Sequence, residues 1–361
     1  MQKTVLALAV AAVLTAPLAA QADTVLYGSA RVSIDYVDEG NDSIGELFDD
    51  EGYWDVTNNS SRLGVVGSED LGGGLSAIYR YEFGVDVTEG SNFESNREKY
   101  VGLKGGFGQV SLGTQETPYY HVAGVADTFN SGRTFGASAW LGGGFASDDV
   151  RGPGDLVRLD NSLYYSTPDF GGFNVEAMLA MDGRVGKADG FSDGIDIWNV
   201  AVKYSNGPFF GGLSYVALNG NNNLLLDSGA TVDLDLDQWA AALGYTGGAF
   251  SVALIYEKGA FNTSNVARNI RRNGVPIIGG DDAQNWYLTG AYSFGNNTLR
   301  AAYGQLDTGI DGEDRVDNYL VGYQYNLSKR TSLWVEYIGR DANTLQFSDL
   351  NAVSIGTRVD F

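Results

Sequence analysis

Residues 351–361 read NAVSIGTRVDF, and their alternation decides the fold. Val353, Ile355, Thr357, Val359 and Phe361 alternate with Ser354, Gly356, Arg358 and Asp360. Successive side chains of an extended chain point to opposite faces, so this is a strand with one apolar and one polar face. Chain ends ordinarily fray in solvent. A strand this regular up to a final aromatic residue implies that the end is held in a sheet.

The same two-residue period runs upstream. One row holds Trp239, Ala241, Leu243 and Tyr245, the next Phe250, Val252, Leu254 and Tyr256, and a third Trp286, Leu288, Gly290, Tyr292 and Phe294. Leu299, Ala301 and Tyr303, then Tyr319, Val321, Tyr323, Tyr325 and Leu327, continue it, while Gln238, Ser251, Thr289, Arg300, Asn318 and Gln324 occupy the opposite rows. A soluble sandwich also alternates. Here, however, tyrosine and tryptophan gather at the ends of the apolar rows, as at lipid headgroups. The polar rows contain few lysines, and tight turns at 206–208, 246–249, 295–297 and 328–330 alternate with long polar connections such as 259–284. These features favour a barrel that spans a membrane with strands of about ten residues.

The N-terminus reads as an export signal. Lys3 precedes an almost wholly apolar stretch from Thr4 to Leu18, and Ala20-Gln21-Ala22 has the small-x-small form of a processing site. Residues 1–22 are therefore expected to be removed, leaving 23–361 as one barrel domain. Lys3 leaves with that segment, so 22 basic side chains face 45 acidic ones, a formal balance of −23. Such a surface disfavours nucleic acid as a partner. A content of 43% hydrophobic and 12% aromatic residues is too rich for a disordered acidic chain. With no cysteine, the fold has no disulfide scaffold. Past residue 22, no run approaches the roughly twenty apolar residues of a spanning helix.

About sixteen strands can be counted, beginning near Val25, Ser61, Leu75, Arg97, Gln109, Arg158, Phe173, Ile195, Phe209, Gln238, Phe250, Asn285, Thr298, Asn318, Thr331 and Asn351. The expected fold is all-β: a transmembrane, antiparallel, up-and-down barrel. One connection, Thr117–Val157, is too long and glycine-rich for a simple turn, which suggests a function.

Four stretches and the final residue, taken in order, carry a specific resemblance. VLYGSARVSIDY begins at Val25, SSRLGVVGSEDLGGGLSAIYRYEFGVD spans Ser60–Asp86, REKYVGLKGGFGQVSLGT spans Arg97–Thr114, RLDNSLYYSTPDFGGF spans Arg158–Phe173, and Phe361 closes the chain. Together they resemble the general diffusion porins of Gram-negative outer membranes. The resemblance implies a homotrimer of sixteen-stranded barrels in the outer membrane, with the third loop folded into the pore; Thr117–Val157 lies where that loop belongs. It also implies that Phe361 is read by the barrel assembly machinery. The implied function is a water-filled channel for passive diffusion of small hydrophilic solutes and ions, without catalysis or cofactor. A substrate-selective channel and, more distantly, a surface adhesin are the alternatives.

Pore chemistry lies on the lumen side. Alternation points Arg31 and Arg62 inward and sends Ser76, Arg80 and Glu82 to the lumen, with Arg97, Lys99, Arg158 and Asp160 as further candidates. The resemblance assigns a basic wall at the constriction to Arg62, Arg97 and Arg158, flanked by Arg31 and Arg80. Ser29 stands where relatives often carry a basic residue after LYG. The opposing loop acids are expected to be Asp127, then Asp148 and Asp149. Weak cation preference is the expected balance between acidic loops and basic wall. Asp233, Asp235 and Asp237 share one face of an extended segment, but lack the spacing of a calcium loop; an acidic rim, bridged by divalent ions to lipopolysaccharide, is the simpler reading. His121 is the single histidine and has no nucleophile elbow or zinc motif for company, so it reads as structural.

Overall fold

A computed structural model describes residues 23–39, 52–90, 93, 97–130, 156–181, 195, 197–218, 224–225, 231–232, 236–259, 283–307, 309, 312, 315–342 and 349–361. Asp148 and Asp149 lie outside the described residues, as does the segment read as an export signal.

The chain winds into one closed antiparallel barrel. β1 (Asp23–Glu39) is followed by β2, made of two segments, Tyr53–Asn58 and Arg62–Gly72. Then come β3 (Leu75–Gly84), β4 (Lys99–Gly105), β5 (Gly108–Glu116), β6 (Arg158–Ser166), β7 (Phe173–Ala180), β8 (Ile197–Asn206) and β9 (Phe209–Leu218). β10 (Leu236–Gly247), β11 (Phe250–Gly259), β12 (Gln284–Phe294), β13 (Asn297–Asp307), β14 (Val316–Asn326), β15 (Thr331–Asp341) and β16 (Leu350–Asp360) complete it. Each strand pairs with its neighbours in sequence, and the last pairs with the first. With the two segments of β2 counted as one strand, the barrel has the expected sixteen.

β2 begins earlier than its sequence suggests. Val32–Val37 of β1 pairs with the Tyr53–Asn58 segment, and Asp23–Ser29 with the Arg62–Gly72 segment. Between the two segments Ser60 adopts φ 61°, and side chains replace the interrupted ladder. Asn59 Nδ2 donates to Ser33 Oγ at 2.7 Å, while Ser61 Oγ accepts from the Arg31 backbone N–H at 2.8 Å. The polar run Asn58–Ser61 thus reads as a loop in sequence but acts as a bulge in a continuous strand.

The closing seam runs from Ser29 opposite Asp360 to Glu39 opposite Leu350. Beyond it the Gly28 N–H donates to the Phe361 carbonyl at 3.0 Å, and the Phe361 N–H returns to the Gly28 carbonyl at 3.1 Å. The Phe361 ring lies over Gly28, where any Cβ would overlap it. Closure removes the open edge that hydrocarbon could not hydrogen-bond.

The apolar rows face outward. Val353, Ile355, Val359 and Phe361 are exposed on β16, as are Trp239 and Leu243 on β10 and Phe250, Val252, Leu254 and Tyr256 on β11. Aromatic rings pair across strands on this face, with Tyr215 and Trp239 centroids 4.5 Å apart and Phe250 and Tyr292 at 4.7 Å. Such pairs contribute about 0.5–1.5 kcal/mol each beyond their buried area.

The inward rows are not uniformly wet. Ala240, Ala253, Ile255, Tyr287, Leu320 and Ile338 form a buried cluster with Tyr119, Val122, Ala126 and Phe129 of the connection after β5. Part of the barrel wall is therefore apolar because a loop lies against it.

Candidate functional site: the constriction

That loop starts at Thr117, whose side chain accepts from the Tyr120 N–H and caps a short helix, α1 (Pro118–Ala123). The cap and Pro118 in the first turn are sequence-level start signals. α1 runs into a 3₁₀ turn, Gly124–Ala126. The loop is closed at its base, where the Thr117 N–H donates to the Val157 carbonyl at 3.1 Å and its hydroxyl to the Leu156 carbonyl.

From its base the loop crosses the inner wall towards β15. Asn199 on β8 accepts from the Tyr119 N–H at 2.7 Å. The Tyr119 hydroxyl lies between Gln238 on β10 and Glu257 on β11. Thr128 meets Thr289 on β12 at 2.8 Å. Asn130 donates to Gln324 on β14 at 3.0 Å and, through backbone and side chain, to Glu336 on β15 at 2.8–3.1 Å. Gln238, Thr289 and Gln324 thus seat a loop.

The arginines occupy the other part of the wall. Arg62 on β2 lies 3.9 Å from Glu82 on β3, and Arg97, just before β4, pairs with the same carboxylate. Glu82 also accepts from the Tyr27 hydroxyl at 2.7 Å. Arg80 pairs with Glu98, and Arg158 with Glu116 at 2.9 Å. Arg31 donates to Ser29 Oγ at 3.0 Å. The charges form a chain: Arg97 feels Arg158 and Arg62, and Arg31 feels Arg62 and Arg358. The structure therefore brings Arg31, Arg62, Arg97 and Arg158 together, with Arg80 alongside them on its own glutamate. It also adds Arg358, the cross-strand partner of Arg31 at the seam.

Asp160 is placed differently from its simple alternation. It is exposed and accepts from Thr114 Oγ1 at 2.8 Å, in the row of the outward-facing Leu112. The cause is a register shift between Gly113 and Gln115, opposite Asn161 at φ 52°. A bulge flips the parity on which the sequence reading rests.

Asp127 ends the 3₁₀ turn and is exposed. Tyr120 lies between it and the basic wall: burial first, then the charge of Asp127, push its phenol up, while Arg158 and Arg97 pull it down. His121 joins α1 to both neighbouring strands. Its Nδ1 is 2.8 Å from Glu176 on β7, its Nε2 3.8 Å from Glu116, and Lys203 on β8 holds the other oxygen of Glu176 at 2.6 Å. Burial opposes protonation of the ring, but the hydrogen bonds to Glu116 and Glu176 outweigh it and raise its pKa to about 9.

Glu98, Glu116, Glu176, Glu257 and Glu336 had not been singled out in the sequence. Glu257 and Glu336 could have been found: each lies in the row opposite an exposed apolar one, Glu257 opposite Leu254 and Tyr256 and Glu336 opposite Leu333 and Val335. Glu98 lies in a connection and Glu116 beyond a bulge, so strand parity does not reach them.

A closed barrel with an apolar outer face, a charged inner wall and a loop folded inside defines an outer-membrane diffusion channel. Residues 7–344 match the Gram-negative porin family. Outer membrane porin protein 32 of Delftia acidovorans is 31% identical over 361 residues, covering 96% of this chain and 92% of that protein. Major outer membrane protein P.IB of Neisseria gonorrhoeae is 27% identical, covering 93% and 92%. Among solved structures, an anion-selective porin from Comamonas acidovorans superposes with a TM-score of 0.71 at 25% identity, over 94% of this chain and 100% of that one. The chain belongs to the Gram-negative porin family. It is an outer-membrane porin, and small hydrophilic solutes pass through it by passive diffusion.

Proposed function

We propose that the pore is weakly cation-selective, and one observation carries the proposal. The basic wall is largely compensated, because Glu82, Glu98 and Glu116 pair with Arg62, Arg97, Arg80 and Arg158. Against a formal balance of −23 over residues 23–361, a largely compensated wall leaves the acidic field to attract cations towards the mouth. Asp127, with Asp148 and Asp149, would supply the loop's acids. Reversal potential in a planar bilayer under a dilute salt gradient tests this reading: a cation-side potential is expected, and an anion-side potential refutes it. Arg31, bonded to Ser29 rather than to a carboxylate, favours the second reading, anion preference, as named in the Comamonas acidovorans structure.

The working unit is read as a homotrimer without enzymatic activity, its acidic rim bridged by divalent cations to lipopolysaccharide. Residues 1–22 are read as a removed signal, so the mass of the membrane-inserted protein should be that of Asp23–Phe361. An intact Met1 terminus there would refute this. Phe361 is read as part of the signal recognised by the barrel assembly machinery.

A further inference from the structure

The inner wall beside the closing seam carries two aspartates that no cation among the described residues neutralises. Asp35 on β1 and Asp55 on β2 are direct cross-strand partners, and Ser354 on β16 faces Asp35 from the other side. Opposed residues of an antiparallel pair share a face. Their row holds Ser33 and Thr57, both buried, while Ile34 and Val56 are exposed on the outside. Both carboxylates therefore project into the barrel. Asp35 is 2% exposed and its Oδ1 has no hydrogen-bond partner, whereas Asp55 is exposed to the lumen. No lysine or arginine among the described residues pairs with either. Arg31, four positions back along β1, is turned to Ser29. On the neighbouring rung, by contrast, Ser33 Oγ accepts from Asn59 Nδ2 at 2.7 Å, so the shortage is confined to the acids.

We propose that Asp35, Asp55 and the Ser354 hydroxyl form a binding site for a hard divalent cation of the calcium class on the inner wall of the channel. Like charges directly opposite on paired strands are destabilising, and a buried carboxylate with a bare oxygen is costly unless a cation meets it. One proton or one monovalent ion leaves a net negative charge on the pair; a doubly charged ion cancels it. The donors are all oxygen. Ser354 Oγ accepts from Trp334 Nε1 at 3.2 Å and keeps a further lone pair. Calcium takes about 6–8 oxygens in flexible geometry, and lumen water reaching past Asp55 completes the shell. Among the described residues no three His, Cys, Asp or Glu side chains gather to hold a metal. The site is therefore open and weak, with half-saturation at about 10⁻³ M, as in calcium-binding extracellular modules. It lies about 13 Å along β1 from Arg31, at about 3.3 Å per residue, on the side of the long connections. A bound ion there cancels negative charge that cations meet before the basic wall. The inference rests on the channel reading but not on the sign of selectivity.

The test uses the whole membrane-inserted protein and calcium itself. In dilute potassium chloride the parent's reversal potential should move towards the anion side as calcium is added, saturating with a midpoint of about 10⁻³ M and lowering relative cation permeability about threefold. Asp35→Asn with Asp55→Asn keeps side-chain shape and removes the repulsion, so the barrel should assemble. Its potential should start nearer the anion side and lose the saturating response. Calcium screening at the acidic connections is a separate effect, so Asp311→Asn with Asp314→Asn, in the connection after β13, should keep that response. Terbium, a luminescent calcium probe, should be excited through Tyr53, two positions before Asp55 in the same row. The part of its signal that calcium displaces should fall in the double variant. If the double variant assembles poorly, Asp55→Asn alone, at an exposed position, should show the same loss. A double variant that responds to calcium as the parent does would overturn the proposal, as would a parent with no saturating response. A parent potential on the anion side before calcium is added refutes weak cation preference, while a saturating calcium response in that same protein still supports the site.

Discussion

Arg62, Arg97 and Arg158 differ from solvated surface cations in their company. Each is partly buried and paired, Arg62 and Arg97 with Glu82 and Arg158 with Glu116, so removing the arginines exposes carboxylates as well as deleting positive charge. An ion about 8 Å away loses or gains about 0.5 kcal/mol per unit charge in water. Three charges together therefore change the permeability of a monovalent ion by about tenfold in dilute salt, upward for cations and downward for anions, and less at physiological ionic strength, where screening acts over about 8 Å. The triple alanine variant should shift the reversal potential strongly towards cations while still assembling, since lumen substitutions tune selectivity. An unchanged potential in dilute salt would remove these arginines from the constriction. His121 makes a second prediction. Its pKa is raised from an ordinary 6.5 to about 9, so its contribution to holding α1 is complete below about 6.5 and is lost as pH rises through about 9. As the chain's only histidine, it gives one imidazole resonance to follow by NMR. A midpoint near 9 is expected, falling in Glu176→Gln; a midpoint near 6.5 in the folded protein would show that the two glutamates do not hold it.

Strands are the level at which the sequence was most legible, and the reason is physical. A wall between lipid and a polar interior forces a strict period of two, so the outward rows of β10 to β16 could be read residue by residue. Legibility failed where the period broke. The bulge at Asn59–Ser61 hid the first segment of β2, and the shift at Gly113–Gln115 turned Asp160 outward. It failed again where one inward face serves two purposes: Arg300, Gln324 and Thr289 look alike as lumen residues, yet two of them seat a loop. Strand parity gives direction but not what is met there. For β16 the direction was enough. Just beyond its eleven paired positions lies Gly28, where Phe361 contributes both a backbone bridge and a ring over the glycine. Deleting Phe361 should lower the yield of assembled barrel several-fold, whereas Phe361→Tyr or Phe361→Trp should retain most of it, because a ring over Gly28 remains. Equal yields for all three would show that the terminal aromatic is not needed for closure or assembly.

The whole molecule combines two kinds of cohesion that respond differently to detergent. Main-chain hydrogen bonds close upon themselves around the barrel, leaving no edge from which β1 or β16 can peel. Inside, the loop adds apolar contact and buried hydrogen bonds across β8 to β15. Opening such a structure requires many ladders to break together, so its durability is a matter of unfolding rate. In the proposed trimer, contacts between protomers would lie outside this closed network, on the exposed rows of apolar and aromatic side chains. Detergent competes for those rows before it reaches the ladders. Unheated samples in mild detergent should therefore run as a trimer with a strand-rich circular dichroism spectrum. Graded heating should release folded, fast-migrating monomer before any loss of strand signal, and only further heating should give the slower unfolded chain. Loss of strand signal together with trimer dissociation, in a single step at every heating rate, would mean that the barrel has no stability apart from its neighbours. A strictly monomeric species in every mild detergent would instead remove the trimer.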